Sequence, residues 1–159
     1  MALDVFEYLK QLDQLRFRAV IFHATPEKNT ALTRFAQSLC ARTNGEYLDL
    51  LGAFIKDDEL RGKVDSFNPQ KLRSLFIEKS KGKKLLCVDS VDFLMDTWRR
   101  TERADFYRMI NNQWDGYRDE SQSKLIVMLQ TSAELEQQNI VDTSGQSRIF
   151  RLSDFNDIL

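Results

Sequence analysis

Residues 18–35, RAVIFHATPEKNTALTRF, decide the fold. Residues 17–22 form a short apolar run that ends at a loop holding Pro26, the pattern of a buried strand. From Thr30 the apolar positions Leu32, Phe35, Ala36, Leu39 and Cys40 return at helical spacing, and Asn44-Gly45 supplies a stop. A strand, a tight loop and a helix in succession open an α/β unit.

The same alternation continues outward. Upstream, Leu3, Phe6, Leu9, Leu12 and Leu15 recur at three-residue intervals and predict an amphipathic helix. Downstream, EYLDLL (46–51) reads as a second strand, and the charged stretch 52–67 as a loop with a short helix. In NPQKLRSLFIEKSKG (68–82), Asn68 can cap a helix, Pro69 suits its first position and Gly82 stops it. KLLCVD (84–89), SKLIVMLQTS (123–132) and SRIFRLS (147–153) supply three more strands. Between them the longest helical stretch, about residues 93–117, holds Trp98, Phe106, Tyr107, Met109, Ile110 and Trp114. Short apolar strands alternating with helices predict an α/β fold, a parallel five-stranded sheet flanked by helices, as one domain over 1–159. Sheets of this kind bind ligands at the carboxyl ends of their strands, so the loops after the strands are where chemistry is sought.

Composition narrows the classes of function. With 23 basic and 24 acidic residues the net charge is -1, so there is no global electrostatic footprint for nucleic acid or an acidic membrane. Cys40 and Cys87 each sit in an apolar run without metal-ligand spacing, as buried thiols of a reducing compartment do. The amino-terminal stretch has neither secretory nor transit character, and no apolar run reaches the roughly 20 residues of a membrane span. A cytoplasmic location is expected. His23 is the sole histidine, so a histidine-based triad or metal site would need unusual partners. The pair Asp57-Asp58 lies in a charged loop with no apolar pocket to shift its pKa.

The loop after the first strand resembles the position of a P-loop, whose pattern is GxxxxGK[ST]. Laid over HATPEKNT, His23 and Lys28 replace the glycines, Asn29 replaces the lysine and Thr30 keeps the hydroxyl. A side chain at the first glycine obstructs the tight turn, Pro26 removes an N–H donor, and Glu27 brings negative charge toward the phosphate position. Lys28 can stand in partly if the loop shifts by one residue, and the helix end keeps its partial positive charge. The loop predicts weak or absent binding of ATP and no firm cofactor.

Three later segments extend the resemblance, which is to the AAA+ type of P-loop NTPase. LLCVDSVD (85–92) resembles a Walker B segment, in which Asp89 would hold magnesium with Thr30, while Ser90 stands where active hydrolases carry glutamate and Asp92 is a substitute catalytic carboxylate. KLIVMLQTS (124–132) resembles the strand ending in sensor 1, with Gln130, Thr131 and Ser132 as candidates. SRIFRLS resembles the Ser-Arg-Cys region of clamp-loader subunits, with Ile149 in place of the cysteine. There the resemblance implies that Arg148 reaches a neighbouring subunit's site, where an arginine stabilises transition-state charge. It covers nearly all of these residues but only the nucleotide-binding half of the usual module, with no helical lid domain.

The residues taken singly have plainer readings: a strand-helix connection at the loop, a strand-end cap at Asp89, a surface ion pair at Arg148. Residues 96–108 interleave Arg99, Arg100, Arg103 and Arg108 with Trp98, Phe106 and Tyr107, a pattern that can track a nucleic-acid backbone. Asp96, Glu102 and Asp105 in the same stretch also allow ion pairs along a solvated or partner-binding helix. Trp114 and Tyr117 are an aromatic pair open to core packing or to a partner. The expectation is a non-catalytic, assembly or regulatory AAA+-like subunit, joined to a protein partner or to itself. In size and layout it is similar to small P-loop accessory proteins of bacterial anti-phage systems of the BREX kind. An active ATPase with a divergent loop and a nucleic-acid-binding accessory protein are the alternatives.

Overall fold

The computed structural model describes residues 4–118 and 122–154. Leu3 of the amino-terminal apolar face therefore lies outside the described residues. In chain order the elements are α1 (Val5–Leu12), β1 (Ala19–Ala24), α2 (Asn29–Thr43), β2 (Glu46–Asp49), α3 (Leu50–Lys56), α4 (Asp58–Arg61) and α5 (Pro69–Ser80). Then follow β3 (Leu85–Asp89), α6 (Asp92–Met95), α7 (Arg100–Asn112), β4 (Lys124–Gln130), α8 (Ala133–Glu136) and β5 (Ile149–Arg151). The five strands make one parallel sheet in the order β2-β3-β4-β1-β5, with helices on both faces.

Strand alternation divides the core in two. Ile21, Leu86, Val88, Leu125, Val127 and Leu129 face one side and pack with α3, α5 and α7 through Phe54, Phe76, Phe106 and Ile110. Val20, Phe22, Leu85, Cys87, Ile126 and Met128 face the other and pack with α1 and α2 through Leu9, Leu12, Phe35 and Leu39. Because both faces are covered, β1, β3 and most of β4 read as continuous apolar runs.

Several boundaries differ from those expected, and three in the first half of the chain show hydrogen bonds outweighing pattern. β1 lies two residues further along than 17–22. Arg18 N–H is taken by Trp114 O at 3.2 Å and Phe17 bridges to Asp115, while His23 and Ala24 continue the ladder against Leu129 and Gln130. The stretch 46–51 breaks after Asp49, whose carboxylate accepts the Gly52 N–H at 3.1 Å and starts α3 at Leu50. A Cβ at position 52 would stand 2.5 Å from Asp49 Oδ2, so the glycine is what lets the cap close. Residues 52–67 are consequently more helical than a loop, with α4 and a 3-10 turn at Val64–Ser66.

The expected helix over 93–117 is two helices. Trp98 is buried, and its indole N–H donates to Phe67 O at 2.7 Å. Arg99 is extended, and its N–H donates to Glu102 Oε1 at 3.0 Å, which restarts the helix at Arg100. Among the described residues the longest helix is α2, with 15 residues. Trp98→Phe loses the indole donor and part of the buried ring, and should lower the unfolding free energy by about 1–3 kcal/mol in urea titrations; an unchanged midpoint would detach Trp98 from the break.

Candidate functional site

The sheet order sets β4 between β1 and β3, so the carboxyl ends of the loop strand, the polar-ended strand and the carboxylate-ended strand stand side by side. At the end of β3, Asp89 is only 7% exposed. Its Oδ2 accepts hydrogen bonds from Thr33 Oγ1 at 2.6 Å and Tyr47 Oη at 2.8 Å, and its Oδ1 accepts the Ser90 N–H at 2.9 Å. Ser90 takes a left-handed φ of 64°, which turns the chain sharply after the strand. The burial of Tyr47 and its bond to Asp89 raise the phenol's pKa well above the ordinary value.

Asp92, at the start of α6, accepts the Gln130 N–H at 3.1 Å and so ties the ends of β3 and β4 together. Burial raises its pKa, and the negative charges of Asp96 and Asp89 add to the effect. Asn29, Leu32, Asp89, Ser90, Asp92 and Gln130 are among the residues that line a cavity of about 330 Å³ here.

The loop itself does not make a phosphate cradle. His23 lies inside β1, so the connection starts after Ala24 and is shorter than the P-loop frame assumed. A single 3-10 turn, Pro26–Lys28, fills it. Lys28 N–H donates to Thr25 O at 2.9 Å and Asn29 N–H to Pro26 O, so these donors close the turn. Thr25 Oγ1 donates to Glu27 Oε1 at 2.8 Å, a bond that lowers the Glu27 pKa. Lys28, Asn29 and Thr30 are exposed.

Thr30, expected to share a magnesium ion with Asp89, is exposed near the start of α2. The hydroxyls that meet the carboxylate are those of Thr33, one turn further along α2, and of Tyr47. They and the Ser90 N–H occupy three of the roughly four acceptor directions of a carboxylate. Among the described residues no group of three or more His, Cys, Asp or Glu side chains is placed to hold a metal ion.

His23 is 3% exposed, and its Nδ1 lies 2.8 Å from Thr131 Oγ1. Desolvation lowers the ring's pKa, and the nearby Arg151 charge lowers it further. The backbone of Thr131 completes the junction, its N–H donating to Ala24 O at 2.9 Å. Ser132 caps α8 by accepting the Leu135 N–H at 3.1 Å. Gln130 thus borders the cavity, while Thr131 and Ser132 are engaged in closing β1, β4 and α8.

Arg148 lies elsewhere. Only 1% exposed, it precedes β5 at the amino end of β1. Its guanidinium donates to Ala19 O (2.9 Å), Ile110 O (3.1 Å), Asn111 O (2.6 Å) and Oδ1 (3.2 Å), and Val141 O (3.2 Å). Burial lowers its pKa from the ordinary value. Here the side chain expected to reach a neighbour is directed inward and joins β1, α7 and the segment before β5.

The arginines of the α7 region are divided between pairing and solvent. Arg103 donates to Glu134 Oε1 at 2.9 Å and to Trp98 O at 2.7 Å, Arg108 to Asp105 Oδ1 at 2.7 Å, and Arg99 and Arg100 are exposed. Trp98, Phe106, Tyr107 and Trp114 are core residues, whereas Tyr117 is exposed. Cys40 and Cys87 are buried free thiols in mutual contact.

No motif in the sequence marks Thr33 or Tyr47. Tyr47 pairs in register with Cys87, two residues before Asp89, so it shares that carboxylate's face of the sheet. The fold and site together define an α/β protein whose carboxyl-end carboxylates are hydrogen-bonded into the sheet's own connections. No protein-family model matches the chain, and no curated protein matches it. Among the described residues no helix is long and apolar enough to cross a membrane.

Arg148→Met should cost about 3–5 kcal/mol in urea unfolding, because it removes the donors of buried carbonyls; a loss below about 1 kcal/mol would show the guanidinium to be dispensable. The His23 ring should titrate below 6.5 in NMR spectra. An unfolded chain then binds a proton that the folded chain refuses. This site's contribution to stability is therefore full above pH 6.5 and falls as pH drops toward the folded pKa, a slope that His23→Gln should flatten.

Proposed function

We propose that the chain is a non-catalytic subunit built on an AAA+-like P-loop core, acting by assembly or regulation within a larger bacterial complex, in phage defence or DNA transactions. The observation that carries this reading is the state of Asp89: a carboxylate at the expected strand end, next to the polar-ended strand and one strand away from the loop strand, whose acceptors serve Thr33, Tyr47 and Ser90. The side-by-side ends of β1, β4 and β3 support the ancestral architecture. The 3-10 turn that uses its own N–H groups supports the loss of phosphate binding.

An active ATPase with a divergent loop would have to free Asp89 from two hydroxyl donors and bring Thr30 inward. Freeing Asp89 gives up a bond that ties α2 to the end of β3 and another that ties β2 to it. The core would remain useful as a shaped surface, joining a protein partner or a second copy of the chain.

Calorimetric titration of the full chain with ATP and magnesium separates the readings. No saturable heat and no phosphate release are expected up to millimolar nucleotide. Saturable binding that disappears in Asp89→Ala, with the fold intact by circular dichroism, would establish the active alternative. Co-purification from the native host should recover a partner in stoichiometric amount, and a chain that stays alone and monomeric at high concentration would sink the assembly role.

A further inference from the structure

Away from the carboxyl-end loops, α5, α7 and the segment after α7 border an open cleft of about 670 Å³. Four arginines line it: Arg16, Arg73, Arg108 and Arg118. The three carboxylates that share the cleft are all engaged. Asp115 accepts from Arg16 at 2.8 Å, Asp105 from Arg108 at 2.7 Å, and Glu102 from the Arg99 N–H at 3.0 Å. A guanidinium has five N–H donors, and the Arg16 and Arg108 side chains stay 40% and 56% exposed, so pairing leaves them able to meet a second anion.

Two further observations sort the anion. Gln70 and Asn112 are also among the residues that line the cleft, and each carries an amide with both a donor and an acceptor, as base edges require. Beyond Arg16 and Asn112, which both hollows share, lies a second hollow of about 310 Å³ with Leu15, Phe17 and Val141 on its walls. The Arg16 guanidinium sits over the Phe17 ring, 5.1 Å from its centroid. Arginines beside an aromatic and apolar wall are the pairing that holds phosphates on one side and stacks bases on the other. The positive end of α5, at Pro69 and Gln70, faces the same cleft and adds to the attraction.

We propose that this surface binds a single strand of nucleic acid, its phosphates on the arginine cleft and a base against Phe17. This does not rest on the assembly role proposed above, and it uses a surface distinct from the carboxyl-end cavity. With a net charge of only -1 on the whole chain, the attraction is local, so binding is modest and salt-sensitive.

The test is fluorescence anisotropy of a labelled twelve-nucleotide oligothymidylate with the full chain at low salt. Saturable binding is expected, weakening with salt on a slope of about two to three phosphates. Arg118→Gln and Phe17→Leu should each weaken it about tenfold. Gln70→Glu should do the same by repulsion while favouring the start of α5, so a folding defect cannot account for its loss. Lys79→Gln, an equal loss of charge outside the cleft, should change affinity less than about twofold. Absence of saturable binding overturns the proposal, as does a Lys79→Gln effect equal to that of Arg118→Gln. Displacement by polyglutamate as readily as by unlabelled oligothymidylate would make the surface an acidic-peptide site. Displacement by adenosine monophosphate at matched phosphate concentration would make it a free-nucleotide site.

Discussion

A carboxylate taken out of water must be given hydrogen-bond donors, and at Asp89 the donors come from three different parts of the chain. Thr33 ties in α2, Tyr47 ties in the edge strand β2, and the Ser90 N–H fixes the turn out of β3. The arrangement of that end of the sheet follows from this demand. β2 has only four residues and a half-exposed face, and the Tyr47 phenol adds a side-chain bond to its backbone ladder with β3. The left-handed Ser90 then directs the chain so that Asp92 can receive the Gln130 N–H and join β3 to β4. A metal ion at this carboxylate would compete with the same bonds that hold the fold.

The opposite end of the sheet meets the same constraint with the sign reversed. Arg148 is a buried cation satisfied almost wholly by neutral carbonyl oxygens, from β1, the end of α7 and the segment before β5. Its planar fork reaches several acceptors at once, which an ammonium could not do from one position. β1 is thus fastened at both ends: at Ala19 by the guanidinium, and at His23 and Ala24 by Thr131. Two charged side chains that looked like chemistry act in this structure as joints between elements that are distant in sequence.

The layers of the fold were legible because burial on both faces leaves a plain mark, continuous apolar runs at β1, β3 and β4 separated by helical spacing at α2 and α5. The boundaries were less so. Phe17 extends the apolar run across Arg18, but the Arg18 N–H pairs with Trp114 O and Phe17 bridges to Asp115, a contact that no local pattern records. Residues 93–117 carry helical spacing throughout, yet Trp98 finds its acceptor at Phe67, 31 residues away, and breaks the helix to reach it. At the site, the carboxylate strand end and the polar end of β4 were readable from residue type and order. Thr33 and Tyr47 were not, because their role depends on the register of β2 against β3 and on the turn of α2 that faces the sheet.

The loop after β1 is closed by its own backbone groups. In a phosphate-binding loop the backbone N–H groups stay unpaired with their own chain until an anion arrives, which costs stability when none is bound. Here Pro26 has no N–H to offer, and Lys28 and Asn29 return theirs to Thr25 and Pro26. Thr33 and Tyr47 do for Asp89 what a bound cation would otherwise have to do, giving the buried charge partners. Each of these groups is satisfied by a partner within the chain. Once the strand ends are held in this way, selection on the remaining surface can act independently of the carboxyl-end cavity, and the arginines around α5 and α7 lie on a part of the molecule that none of these bonds constrains.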